Sequence, residues 1–126
     1  MFKRIDHVEI VPKDIEKTIK FYTEILGFTV TERKEIANAG PLKEYVYLEL
    51  GDSRLELLAC ADPAASIDAL HIGYKAISIE VDDMDSATAY LKDKGVPIIS
   101  GPTDLGTSIR AEIKDPDGLP IELMQW

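Results

Sequence analysis

His7, Glu56 and Glu122 are the side chains of this 126-residue sequence best placed to do chemistry. His7 begins a run in which Val8 and Ile10 fall on one face of a strand, so its imidazole turns to the other. Glu56 stands between Leu55 and Leu57, and Glu122 between Ile121 and Leu123. By the two-residue period of a strand, each carboxylate opposes its apolar neighbours. Imidazoles and carboxylates are the groups that hold divalent cations and move protons near neutral pH. Glu9 shares the face of His7, and Glu112 shares a face with Arg110, opposite Ala111 and Ile113. Such acids, if they converge, repel one another unless a cation, a proton or solvent relieves them. Tyr45, Tyr47 and Glu49 line another strand face. Tyr47 and Arg110 are the expected substrate contacts, the guanidinium being suited to an anionic group.

Other chemistries lack their residues. There is no phosphate-binding glycine loop, no CxxC pair and no Ser/His/Asp order. The one cysteine, Cys60, has no internal partner, which fits a reducing, cytoplasmic setting, and it reads as a small packed residue rather than a nucleophile. The net charge of -9 and a pI near 4.6 repel phosphate backbones and anionic bilayers, so neither nucleic acid nor membrane is an expected partner. No apolar stretch approaches the ~18 residues of a membrane span, and the start carries no signal-like core. A 45% apolar content and a mean hydropathy of -0.06 are those of an ordinary globular domain.

The elements that must position these side chains can be read in order. A strand within Ile5–Val11 leads through Pro12 to Asp14, an N-cap, and to a helix carrying Ile15, Ile19, Tyr22 and Ile25. Gly27 ends it, and Phe28–Arg33 forms a strand. A loop or wide hairpin over 34–43, with Gly40-Pro41 as its turn signal, precedes strands Tyr45–Leu50 and Arg54–Ala59, joined by the hairpin signal Gly51-Asp52-Ser53. Residues 61–73 form a linker, and the pattern then restarts. Ala76–Val81 reads as a strand, Asp82 and Asp83 cap a helix with Met84, Ala87 and Leu91, and Gly95 ends it. Val96–Ser100 reads as a short strand, Gly101–Gly106 as a loop, and Ser108–Lys114 and Leu119–Trp126 as strands around the turn Asp115-Pro116-Asp117-Gly118. His7-Val8-Glu9-Ile10 aligns with Ala76-Ile77-Ser78-Ile79, Asp14 with Asp83, Gly27 with Gly95, and Leu55-Glu56-Leu57 with Ile121-Glu122-Leu123. The chain is therefore expected to be an α+β protein of two tandem βαβββ modules, about 1–60 and 74–126, within one domain.

Three stretches carry a family resemblance. "DHVEIVPKDIEKTIKFYTEILGF" resembles the opening strand and helix of the vicinal oxygen chelate superfamily, the glyoxalase, bleomycin resistance and dioxygenase group. "AISIEVDDMDSATAYLKDKGV" resembles the opening of that family's second module, and "IKDPDGLPIELMQW" its closing hairpin. With the hairpin around Glu56, the resemblance covers nearly the whole chain and is closest to glyoxalase I. It implies two modules curled into a cup-like mixed sheet, with a divalent metal held at four corners. By position these corners are His7, Glu56, Ala76 and Glu122. Alanine cannot bind a metal, and its presence argues against the dioxygenase and fosfomycin enzymes, which draw a histidine from that corner. His71 lies an odd five residues before Ala76, out of strand phase, and does not fill the gap. One imidazole and two carboxylates remain, a set suited to Ni²⁺, Mn²⁺, Co²⁺ or Mg²⁺ more than to a closed zinc site.

The resemblance thus implies a lyase or isomerase that chelates two vicinal oxygens of a small-molecule substrate and moves a proton through a metal-bound enediolate. Glu122 would be ligand and base, with Glu56 its counterpart. A methylmalonyl-CoA epimerase-like isomerase would use the same two-sided proton transfer. A metal-free, drug-sequestering protein is the alternative that Ala76 favours. Open sheet edges lead us to expect a homodimer.

Overall fold

The structure, a computed structural model, describes residue 1, residues 3–65 and residues 72–126. His71 and much of the expected linker lie outside the described residues. The chain divides into two units, the first spanning Met1–Ala65.

The first unit contains β1 (Val8–Ile10), α1 (Ile15–Lys20), β2 (Thr29–Glu35), β3 (Leu42–Leu50) and β4 (Ser53–Cys60). Asp14 caps α1, its Oδ1 accepting from the Lys17 N–H at 3.2 Å. The helix does not stay α-helical to its end, because Phe21–Ile25 continues it as a π-helical turn. That turn carries Tyr22, whose fully buried ring meets Phe21 and Phe28 edge to face at 5.4 and 5.6 Å. The strands lie in the order β1-β4-β3-β2, with β1 parallel to β4 and the other pairs antiparallel. Ile10, Val46, Leu48, Leu55 and Leu57 are all buried, as strand alternation requires of one face, and α1 packs against β4. The hairpin between β2 and β3 is shorter than the expected 34–43 loop. Both strands run further, and the Arg33 guanidinium holds their ends by bonding Glu44 of β3 (2.7 Å) and Glu16 of α1.

The second unit repeats the plan with β5 (Ile77–Glu80), α2 (Met84–Asp93), β6 (Ser100–Asp104), β7 (Ile109–Lys114) and β8 (Pro120–Gln125). Its strand order is β5-β8-β7-β6, with β5 parallel to β8. Asp83 caps α2 by accepting from Ser86 N–H at 2.8 Å, and the Gln125 side chain accepts from Met84 N–H at 2.6 Å, tying the helix start to the last strand. Met84, Leu91, Val96, Ala111, Ile113, Ile121 and Leu123 are buried. Gly27 and Gly95 take the same positive φ, +84° and +78°, at equivalent helix ends. The fold class is therefore α+β, with two four-stranded mixed sheets, each with its own helix.

One strand departs from the sequence expectation. β6 occupies Ser100–Asp104, meeting the expected strand only at Ser100 and otherwise running through the stretch read as a loop, and 96–99 is not a strand. Val96 is apolar for a different reason: it is buried behind α2, its N–H bonded to Leu91 O at 2.8 Å. Every residue of β6 is exposed, so this edge strand has no apolar alternation to read. Gly101 permits its close pairing with β7. Its φ is +79°, and a Cβ there would stand 2.6 Å from Arg110 O. Among the described residues, no helix is long and apolar enough to cross a membrane.

The β7–β8 hairpin depends on Asp115, which is 5% exposed. Its Oδ1 accepts from the N–H groups of Asp117 and Leu119, each at 2.9 Å. Asp115→Ala leaves those donors without their acceptor and is expected to cost about 1–3 kcal/mol, read by urea unfolding. Asp115→Asn, which keeps an acceptor oxygen, is expected to cost clearly less; equal losses would mean that the turn does not depend on this oxygen.

Candidate functional site

In the first unit, the pairing of β1, β4, β3 and β2 sets Glu9, Glu56, Tyr47 and Glu32 in one cross-strand row. This row lies on the face opposite the buried leucines, so its side chains are polar by position. His7 immediately precedes β1 and reaches into the row. Its Nε2 lies 3.0 Å from Glu56 Oε2 and 3.6 Å from Glu9 Oε1, and its Nδ1 lies 2.9 Å from Asp6 Oδ2. One donor atom each from His7, Glu9 and Glu56 falls within 4.8 Å of the others. Glu56 is buried at 8% exposure, although it faces away from the core of its sheet. The Tyr47 ring meets the His7 ring edge to face at 5.5 Å and carries the Arg54 guanidinium at 5.3 Å from its centre.

The electrostatics follow from these contacts. The Asp6 carboxylate bonded to His7 holds its imidazole above the usual range, and the charge of Glu56 and the contact with Glu9 add to this against the opposing effect of burial. Asp6 is correspondingly lowered, first by that bond to His7 and then by Arg54 and Arg4. Desolvation raises the Tyr47 hydroxyl, and the adjacent Glu56 carboxylate raises it further. With Nδ1–H donated to Asp6, the lone pair of neutral His7 lies on Nε2, toward the two glutamates. This is the arrangement in which a histidine serves as a metal ligand.

The second unit builds the equivalent row differently. Ser78, Glu122, Glu112 and Ser100 pair across β5, β8, β7 and β6. Both Glu122 oxygens are engaged: Oε1 accepts from Ser78 Oγ at 3.1 Å and Oε2 from Arg110 Nε at 3.0 Å. Glu112 lies 3.6 Å from Lys75 Nζ and 3.7 Å from Arg110 Nη2. Ala76, just before β5, is exposed and offers no donor.

The structure thus gathers His7, Glu56 and Tyr47 in one cluster and Glu122 and Arg110 in another, one in each unit. Glu112 is paired to Arg110, as its shared face suggested, whereas Glu9 joins His7 and Glu56 instead of simply facing solvent. Asp6 and Ser78 were not singled out in the sequence. The signal for Asp6 is its adjacency to His7, and for Ser78 its repeat position opposite Glu122.

The sequence profile of the Glyoxalase/Bleomycin resistance protein/Dioxygenase superfamily matches residues 4–123. Lactoylglutathione lyase of Neisseria meningitidis is 30% identical over 97% of this chain and 90% of its own. Human mitochondrial methylmalonyl-CoA epimerase is 33% identical over 97% of this chain and 73% of its own. Among solved structures, the trypanothione-dependent glyoxalase I of Leishmania major superposes with a TM-score of 0.80 at 29% identity, covering 98% of this chain and 87% of that one.

In metal-free protein, His7 is expected to titrate above the ordinary histidine value of about 6.5. An NMR titration of its imidazole, assigned with His7→Gln, checks this, and Asp6→Asn should lower the value. Because the folded value is raised, the stability it contributes is fully present below pH ~6.5 and is lost as pH rises through the folded value. A His7 that titrates below pH ~6 would contradict the observed contacts.

Proposed function

Because the chain belongs to the Glyoxalase/Bleomycin resistance protein/Dioxygenase superfamily, we propose that it is a metal-dependent lyase or isomerase of the glyoxalase type. The observation that carries this reading is the convergence of His7 Nε2 with buried Glu56, backed by the bond from His7 Nδ1 to Asp6. These donors fit a divalent ion of the Ni²⁺, Mn²⁺, Co²⁺, Mg²⁺ or Zn²⁺ group: a neutral imidazole aimed by a carboxylate, beside a buried carboxylate that needs a positive partner. In this proposal His7, Glu56 and Glu122 hold the ion, and the protein is a homodimer. The bound ion supplies Lewis acidity to two adjacent oxygens of a small substrate.

The protein's own side chains then handle the proton. Glu122 would take a proton from the carbon beside two adjacent substrate oxygens and, in a lyase, return it to the neighbouring carbon; in an epimerase Glu56, starting protonated, would be the counterpart that delivers a second proton from the opposite face. Ser78 and Arg110 fix the Glu122 carboxylate through one bond to each oxygen. Glu122 uses only part of the five-donor guanidinium, which leaves Arg110 able to meet an anionic substrate group. Tyr47 offers an aromatic wall beside His7. The lyase and epimerase relatives support this common step, proton movement next to a carbonyl, without separating the two substrates.

A second reading has its own observation. Ala76 removes one family ligand, and a cation-free site would suit a metal-free ligand-binding protein. Metal analysis of protein purified without chelator separates the two. We expect about one divalent ion per chain, removed by chelator, and hemithioacetal isomerisation or 2-methylmalonyl-type epimerisation that returns with added ion. Glu122→Gln should lower kcat by about 10²–10⁴-fold, the range of a general base. Absence of any ion under saturating Ni²⁺, Mn²⁺ and Zn²⁺ would leave the binding-protein reading. The homodimer is checked by sedimentation, with a mass near twice 14.0 kDa expected.

A further inference from the structure

We propose that Glu9 is itself a ligand of the ion, completing with His7 and Glu56 a donor set within the first unit. The proposal rests on the metal-dependent reading above. It starts from distances. Adjacent donors around an octahedral ion with ~2.1 Å bonds stand ~3.0 Å apart. His7 Nε2 is 3.0 Å from Glu56 Oε2 and 3.6 Å from Glu9 Oε1, so these atoms surround one point without rearrangement of the backbone. All three donor atoms lie within 4.8 Å of one another, so a side-chain movement of under about 1 Å brings any wider pair within the ~4.2 Å that two donors of one such ion can span.

Charge gives an independent argument, because the two units balance their carboxylates differently. In the second unit Glu122 has Arg110 and Glu112 has Lys75, so each acid has its own cation. In the first unit Asp6 lies near Arg4 (3.6 Å) and Arg54 (3.9 Å), and Glu49 takes Arg54 at 2.7 Å. Among the described contacts this leaves Glu9 and Glu56 with His7 as their cationic partner. Even a protonated imidazole offsets only one of these two charges, and a neutral one, the form able to ligate, offsets neither. A divalent cation between them matches the two carboxylates in charge.

The repeat explains why this donor lies outside the four family corners. Glu9 is equivalent to Ser78, a row position that holds Glu122 in the second unit by a hydroxyl. The first unit carries a carboxylate there, one residue beyond the strand start, on the same face as His7. Its side chain is 59% exposed, so it can move the short distance that ligation requires.

The test is Co²⁺ titration of the chelator-stripped full chain, read by the visible Co²⁺ spectrum and by Kd, with Ni²⁺ in parallel. Glu80→Gln removes the same charge from exposed β5 and serves as the control. We expect Glu9→Gln to raise Kd at least tenfold and to alter the Co²⁺ spectrum, while Glu80→Gln leaves both unchanged. Should Glu9→Gln fail to fold by circular dichroism, Glu9→Asp, which withdraws the donor while keeping its charge, is expected to alter the spectrum. A Glu9→Gln spectrum identical to the wild type, with Kd changed by less than threefold, overturns the proposal and leaves the metal-dependent reading standing. If the wild type binds neither ion, both fall.

Discussion

The alternation of side chains along β4 and β8 is the constraint on which the rest depends. Each is flanked by a parallel strand on one side and an antiparallel strand on the other, so each must be apolar on the face that forms the core. Leu55 and Leu57 meet that need in β4, and Ile121 and Leu123 in β8, with each side chain 5% exposed or less. Burying one such side chain is worth ~1.5–3 kcal/mol, which fixes the register firmly. Once those pairs are inward, Glu56 and Glu122 have only the opposite face available. A slip of one residue would bury both carboxylates in the cores and expose four apolar side chains. The site is therefore specified by the same pattern that specifies the fold, and it needs no separate device to aim its acids.

The two units share this constraint and differ in how they satisfy the charge it creates. In the second, Arg110 and Ser78 bond Glu122 directly, which favours a fixed carboxylate orientation. In the first, His7 faces two glutamates, and the Arg54 guanidinium is held by Glu49 and lies over Tyr47 rather than reaching Glu56. An imidazole is the weaker and more adjustable partner, because its charge depends on pH whereas that of a guanidinium does not. The carboxylate of the second unit keeps a partner whose charge does not change with pH.

Much of this was legible in the residues. The matched caps Asp14 and Asp83, the helix-ending Gly27 and Gly95, and the Asp115 turn each state a local geometry with little ambiguity, and the structure places them as expected. The orientation of Glu56 and Glu122 followed from period two. β6 was not legible, because an edge strand exposed at every position leaves no apolar trace, and in the apolar run before it Val96 is buried with its N–H bonded back to Leu91 of α2. The π-helical turn at Phe21–Ile25 leaves the helical spacing of apolar residues nearly unchanged, so the sequence reads through it as ordinary helix. The partners of His7 were half visible. Strand phase put Glu9 on the correct face, but only the register of β1 against β4 sets it beside Glu56.

The loss at Ala76 takes on a different meaning in this setting. A vanished imidazole in a symmetric four-corner site would leave an ion short of donors and a neighbouring carboxylate short of a cation. Neither follows from the contacts in this chain. The carboxylate of the second unit has Arg110, which requires no metal to be stable. In the first unit Glu9 places a further carboxylate oxygen, a hard donor, beside His7 and Glu56. The two units thus differ in how their carboxylates are partnered, by a guanidinium in one and by an imidazole in the other. His7, bonded to Asp6 and set between two glutamates, is the cationic partner of both when protonated, and these same contacts hold its imidazole above the usual range.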